Sequence, residues 1–111
     1  MVLAKNDLFD IKEQQCAELF KALAHPARIK ILKYLAETKA CISGDISKEL
    51  PLSRTTVNQH LKELKNSGLI QGYVTGAKTN YCLNPARVNE LSMVLNAFLT
   101  EIDIMENPTC T

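Results

Sequence analysis

Ser53-Arg-Thr-Thr-Val-Asn-Gln-His-Leu-Lys-Glu-Leu-Lys-Asn-Ser-Gly68, followed at once by Leu69-Ile70, is the stretch that decides the fold. Ser53 is suited to accept hydrogen bonds from the first free N–H groups of a helix. Gly68 is suited to the left-handed conformation that ends one. Between them Val57, Leu61 and Leu64 recur at helical period and form one apolar stripe. Thr55, Asn58, Gln59, Lys62 and Asn66 fall on the opposite face. That face is rich in amides, hydroxyls and cations and poor in carboxylates. A helix of this kind, set against a scaffold, is what a DNA major groove admits. Taken alone, the same pattern describes a solvated surface helix, so the flanking segments must decide.

Upstream, Phe9, Cys16, Leu19, Phe20 and Leu23 recur at helical spacing and predict a helix over about residues 6–24. His25-Pro26 interrupts it, and Pro26 suits the first turn of a new helix, where its missing N–H costs nothing. Ile29, Leu32 and Leu35 mark that second helix, which ends near Thr38. Ser43 is expected to cap a third, short helix running through Leu50, with Asp45 near its positive end and Pro51 as its stop. Two short helices joined by Pro51-Leu52, the second with a polar outer face, make a helix-turn-helix over about residues 43–68.

Downstream the period changes. Residues 69–75 and 79–83 are rich in β-branched and aromatic side chains and flank Gly76-Ala-Lys78, a turn-length segment. A hairpin, or wing, is therefore expected over about residues 69–83. Ile70 and Val74 should face inward with Tyr81 and Leu83, while Gln71, Thr75, Asn80 and Lys78 face out. A basic-tipped hairpin directly after such a helix is placed to meet phosphates or the minor groove. Asn84-Pro85 then caps a last helix reaching about residue 105. Its apolar residues Val88, Leu91, Leu95, Phe98, Ile102 and Met105 alternate at intervals of three and four, widened by Val94 and Leu99. This exceeds what a terminal helix needs for its own core. The excess predicts a dimer surface shared with the first helix, the alternative being one more core-packing helix. The expected class is mainly α with a small β-hairpin. It is a single winged helix-turn-helix domain of order α-α-α-α-β-β-α, with dimerisation helices over about residues 6–24 and 85–105.

The chain's 111 residues suffice for one domain. Net charge is only +1, but it is unevenly distributed. Residues 53–82 carry Arg54, Lys62, Lys65 and Lys78 against Glu63 alone, a net +3. Residues 83–111 carry Arg87 against Glu90, Glu101, Asp103 and Glu106, a net −3. A dimer would present two basic reading segments to a polyanion and keep its far end acidic. No apolar run approaches membrane-spanning length, and the N-terminus lacks a basic region followed by an apolar core. A cytoplasmic protein without a membrane partner is expected.

The order helix, His-Pro-Ala-Arg helix, helix-turn-helix, hairpin, helix resembles the ArsR/SmtB family of bacterial winged-helix repressors. The matching stretches are Phe20-Lys-Ala-Leu-Ala-His-Pro-Ala-Arg-Ile-Lys-Ile-Leu32 and residues 52–70, and the similarity covers about residues 16–100. The resemblance implies a homodimer that sits on a palindromic double-stranded operator and leaves it when an inducer binds. Carried onto this chain, it implies that Ser53, Arg54, Thr55, Asn58, Gln59 and Lys62 meet DNA from the helix, and Lys78, Thr79 and Asn80 from the wing. The side-chain chemistry agrees. Asn and Gln can pair bidentately with adenine, Ser and Thr hydroxyls bond phosphate or base, and Arg and Lys neutralise phosphates.

The sensing side of the resemblance is uneven. Thiol-using metal sensors of the family carry Cys-x-Cys where this chain has Cys41-Ile42-Ser43. A soft ion needs two or three thiolates, so Cys41 alone is insufficient. Cys110, on the C-terminal tail, is the second candidate ligand. The last helix has no histidine, which disfavours a harder metal there. No cofactor is required for the fold. A thiolate-bound metal or metalloid inducer, a thiol redox response, and a regulator without either sensor all remain open. Cys16 and Cys82 fall within apolar patterns and are expected to be structural, and Tyr73, Tyr81 and Phe98 are expected to pack in the core or the hairpin. His60 borders the apolar stripe and is expected to be a packed or hydrogen-bonded core histidine, His25 a helix-start residue, and Arg28 an anchor of the second helix through an ion pair, the alternative being a phosphate contact. No nucleophile–base spacing and no Gly-rich phosphate loop point to an enzyme. The alternative class is a winged-helix protein adaptor, which would have no use for the basic, amide-rich face of residues 53–80.

Overall fold

The computed structural model describes residues 8–38, 42–43, 46–76 and 78–103. Helix α1 spans Ile11–Leu23 and α2 spans Pro26–Thr38. A two-residue strand β1, Ile42–Ser43, and a 3-10 turn, Ile46–Glu49, lead to α3, Arg54–Asn66. The hairpin strands β2, Ile70–Thr75, and β3, Lys78–Leu83, follow, and α4 spans Pro85–Ile102. The class is mainly α with a small hairpin, as the sequence implied.

Local chemistry sets most of the boundaries. Asp10 and Glu13 form a capping box, so α1 starts at Ile11 rather than near residue 6. Leu8 and Phe9 precede that cap and are exposed. The Ser53 hydroxyl accepts the Thr56 N–H at 3.3 Å and caps α3. Gly68 follows α3 with φ 84°, in the left-handed region expected of it. Asn84 accepts the Arg87 N–H at 3.4 Å, with Pro85 in the first turn of α4. Asp103 caps α4 at its C-terminus, so the helix ends at Ile102; Met105 lies outside the described residues.

The third expected helix is a correction. Among the described residues a 3-10 turn, Ile46–Glu49, stands there in place of an α-helix, and Ser43 belongs to β1 rather than to a cap. Ile42 and Ser43 are taken up by antiparallel pairing with Tyr81 and Asn80 of β3, and Pro51 bounds the other side. The sheet order is β1-β3-β2, so β3 is the central strand. Thr75 pairs with Lys78 across a two-residue turn begun by Gly76 at φ 63°, the geometry that right-twisted hairpin strands favour.

One core unites these elements. Ile31 and Leu35 of α2, Ile46 and Leu50, Val57, Leu61 and Leu64 of α3, and Leu69 and Ile70 at the start of β2 are all buried. Tyr81, Leu83, Val88 and Leu91 pack around it. Val74 shares the inward sheet face with Ile70 but is 72% exposed, against expectation. The strand outruns the core, and alternation fixes a face without fixing where the core ends. Tyr73 faces the other way, on the hairpin's outward side, and is half-exposed.

His60 is the buried polar residue among those described. Arg28 Nε–H donates to its Nδ1 at 3.2 Å, which assigns the imidazole's own proton to Nε2. Arg28 also donates from Nη1 to the carbonyls of Lys21 and Ala22, at 3.2 and 3.3 Å. It therefore anchors α2 as foreseen, though through an imidazole and two carbonyls of α1 rather than an ion pair. His25 Nδ1 accepts the Ala27 N–H at 3.0 Å, a helix-start role, and its ring lies 4.2 Å from that of His60.

Burial, then the neighbouring His25 and Arg28, push the His60 pKa down, with Glu63 opposing them. The unfolded chain thus binds this proton more readily than the folded one. Stability from this group is full above about pH 6.5, the ordinary histidine value, and falls as the pH drops below it. Urea midpoints should decline from pH 7 to pH 5. His60→Gln should unfold at lower urea overall but lose much of that slope. An unchanged slope in the variant would place the acid sensitivity elsewhere.

Candidate nucleic-acid interface

Burial of the Val57, Leu61 and Leu64 stripe fixes the rotation of α3, and the outward face follows from it. Arg54, Thr55, Asn58, Gln59 and Lys62 are all exposed along one side, with Lys65 and Asn66 further along. Ser53 is exposed as well, but its hydroxyl is engaged, capping the helix and lying 3.0 Å from the Thr56 hydroxyl. The first turn carries no acidic residue. The free N–H groups and the dipole at that end therefore favour an anion with no nearby carboxylate to oppose it. Gln59 reaches Glu63 at 3.4 Å, an exposed contact of the kind that yields to a better partner.

The wing begins two residues after Gly68. Leu69 and Ile70 at its base are fully buried, so the hairpin is rooted in the core that seats α3. The Asn84 N–H donates to the Leu69 carbonyl at 2.9 Å and closes the base. Lys78 opens β3 opposite Thr75; its side chain lies outside what the structure describes. Thr79 and Asn80 are half-buried. Strand alternation puts Thr79 on the sheet face of Val74, and Asn80 on the outward face opposite Tyr73. The residues singled out on α3 thus share one exposed side. Those of the wing divide between two faces, and Asn80 lies in the central strand rather than at the tip.

Cys41 and Cys110, the candidate metal ligands, lie outside the described residues. Among the described residues no cluster of three His, Cys, Asp or Glu side chains is arranged to hold a metal ion. Cys16 is a free, half-buried thiol on α1. Cys82 departs from expectation: it is partly exposed on the outward face of β3 and is disulfide-bonded. The alternation of β3 carried the signal, since position 82 is in phase with Asn80 and out of phase with Tyr81 and Leu83. Arg87 was also missed. Its Nε–H donates to the Ser67 carbonyl at 3.0 Å, and Nη1 pairs with Glu90 at 2.6 Å, which ties α4 to the end of α3.

Comparison with known proteins agrees with this geometry. Residues 25–71 match the family model described as bacterial regulatory protein, arsR family. An uncharacterized HTH-type transcriptional regulator of Methanocaldococcus jannaschii is 35% identical, over 72% of this chain and 90% of that one. A cadmium resistance transcriptional regulatory protein CadC homolog of Staphylococcus aureus is 32% identical, over 91% of this chain and 82% of that one. The solved structure of an ArsR-like transcriptional regulator from Rhodococcus sp. RHA1 superposes with TM-score 0.66 at 28% identity, covering 80% of this chain and 83% of that one. No described helix is long and apolar enough to cross a membrane. An exposed amide- and cation-bearing helix, seated by a buried stripe and followed at once by a wing, is thus found in a chain that belongs to the ArsR family of bacterial regulatory proteins, which are DNA-binding transcriptional regulators and not enzymes.

Proposed function

We propose that the protein is a homodimeric repressor that occludes a palindromic operator and is released by an inducer. The observation that carries this reading is the exposed face of α3 over its buried stripe. In this reading Asn58 and Gln59 meet base edges, with Thr55 able to bond base or phosphate. Arg54, Lys62 and Lys78 neutralise phosphates, and Ser53, Thr79 and Asn80 add backbone contacts at the two ends of the surface. Action in the cytoplasm, where the operator is, belongs to the same reading.

Dimerisation is supported by what the terminal helices leave uncovered. None of the residues of α4 is fully buried, and Leu95, Leu99 and Ile102 are exposed. Phe9 and Ile11 are exposed at the start of α1, and Phe20 of α1 packs edge-on against Phe98 of α4 at 5.4 Å. The two helices therefore offer a joint apolar surface, which a second copy related by a two-fold axis would cover. For the inducer, a thiophilic metal or metalloid would need Cys41 together with Cys110 or a partner's thiol.

Selection from a random pool of duplex DNA, with reduced protein at physiological salt, should enrich an inverted repeat. Its half-sites should be about one helical turn apart. No enrichment would favour the protein-adaptor reading. On the selected site, Asn58→Ala should cost roughly 1–3 kcal/mol and relax preference at one base pair per half-site. Lys78→Ala should instead weaken all sequences about equally and shallow the salt dependence. A changed preference in Lys78→Ala would contradict its phosphate role. Leu99→Glu should shift sedimentation from dimer to monomer, and a dimer that persists in Leu99→Glu would move the interface off α4.

A further inference from the structure

We propose that the cleft between α1, α2, the C-terminal half of α3 and the start of α4 binds a small organic carboxylate, and that its occupancy loosens the seat of α3. The cleft has a volume of about 520 Å³, a size that takes a small molecule. Its charged groups come from separate elements. Lys21 of α1, Arg28 of α2 and Arg87 of α4 line it, against Glu18 of α1 and Glu63 of α3. Three cations against two carboxylates leave one net positive charge, which a monoanion balances. His25 adds a donor, because its Nδ1 accepts the Ala27 N–H and its proton therefore sits on Nε2. The buried Leu19 and Ala22 give the wall an apolar part, so the matching ligand carries an apolar body behind its carboxylate.

The two arginines supply the recognition and the consequence. Arg28 commits Nε to His60 and Nη1 to the carbonyls of Lys21 and Ala22. Arg87 commits Nε to the Ser67 carbonyl and Nη1 to Glu90. Among the described residues, Nη2 of each has no partner in these networks. A carboxylate binds a guanidinium best through two N–H groups on one edge. On Arg87 the Nη1–Nη2 edge opens by displacing Glu90, an exposed pair of little worth. On Arg28 either edge that contains Nη2 also contains a committed nitrogen. A bidentate hold there takes Nε–H from His60 or Nη1 from the carbonyls of α1. The ligand thus exchanges a bond between helices for a bond to itself.

Position suits this to regulation. The cleft is lined by none of the apolar residues assigned to the dimer surface and by none of the side chains assigned to DNA. A small molecule therefore enters with both surfaces engaged. No described cysteine lines it, so the ligand acts apart from any thiol-held ion. Loss of an Arg28 bond frees α3 behind its outward face. The effect on the operator rests on the repressor reading above, whereas the binding site does not.

Benzoate is the probe, with benzyl alcohol as its uncharged counterpart. In heteronuclear NMR spectra of the full chain at constant ionic strength, benzoate should saturably shift the amides of Lys21, Arg28, Glu63, Ser67 and Arg87. Its Kd should be about 1–10 mM, and benzyl alcohol should not saturate. Lys21 and Glu18 are exposed, so their variants keep the fold. Lys21→Gln should weaken benzoate about threefold and Glu18→Gln should tighten it by a similar factor. No saturable shift at these amides below about 50 mM benzoate, or equal binding by the two variants, overturns the site. With benzoate at saturation, the selected operator should bind at least about fivefold more weakly than in chloride of the same ionic strength. Unchanged or tighter operator binding by a benzoate-loaded protein overturns the loosening of α3. Saturable benzoate binding by a protein that selects no operator with or without it would sink the repressor reading and leave the site standing.

Discussion

The seating of α3 on α2 is the constraint on which the rest depends. Val57, Leu61 and Leu64 are at most 2% exposed. A helix turns 100° per residue, so only one rotation buries that stripe. Turning α3 by one position would drive Asn58 and Lys62 into the core, where unpaired polar groups and charges are costly. The outward face is thus defined by the inward one. Arg28 sharpens this. Its guanidinium bonds the last turn of α1, where free carbonyls and the dipole favour a cation, and it bonds His60 of α3 from its place on α2. One side chain thereby fixes three helices about a single point behind the exposed face of α3.

The wing inherits its position from the same seat. Between the last turn of α3 and the buried Leu69 there is little chain to bend. Gly68 makes the turn at a φ that other residues rarely adopt, and a Cβ there would come within 3.4 Å of the Arg87 side chain. Arg87 in turn bonds the Ser67 carbonyl, and the Leu69 carbonyl accepts from Asn84. The end of α3, the base of the hairpin and the start of α4 are therefore knotted together within a few residues. In the reading proposed above, a hairpin fixed at its base in this way stands beside α3 at a set distance.

What could be read from the sequence was what local chemistry controls. Ser53, Gly68, Asn84 and Pro85 announce helix ends through their own side chains or backbone freedom, and each stands where it was expected. His60 was legible because it borders an apolar stripe. The failures are non-local. β1 exists only because β3 lies beside it, and two residues carry no period of their own, so a strand was mistaken for a helix cap. Val74 kept its face but not its burial, since the edge of the core is set by distant packing. The partners of Arg28 are on two other helices, and no spacing along α2 reveals them.

The terminal helices show a division that the reading surface alone would not require. The seam of α4 is spent in two directions. Val88 and Leu91 pack toward the core and Phe98 meets Phe20, while Leu95, Leu99 and Ile102 remain outside. None of these outward residues belongs to α3 or the hairpin. In the dimeric reading, pairing and DNA contact therefore use separate elements, joined through the Arg87 and Arg28 bonds. The two-fold axis through α1 and α4 would then set the spacing of the two α3 helices, and with it the spacing of the half-sites. A small change in how the terminal helices pack would move both reading helices at once without altering any residue that touches DNA. An inducer acting near those helices would need no contact with the operator to release it.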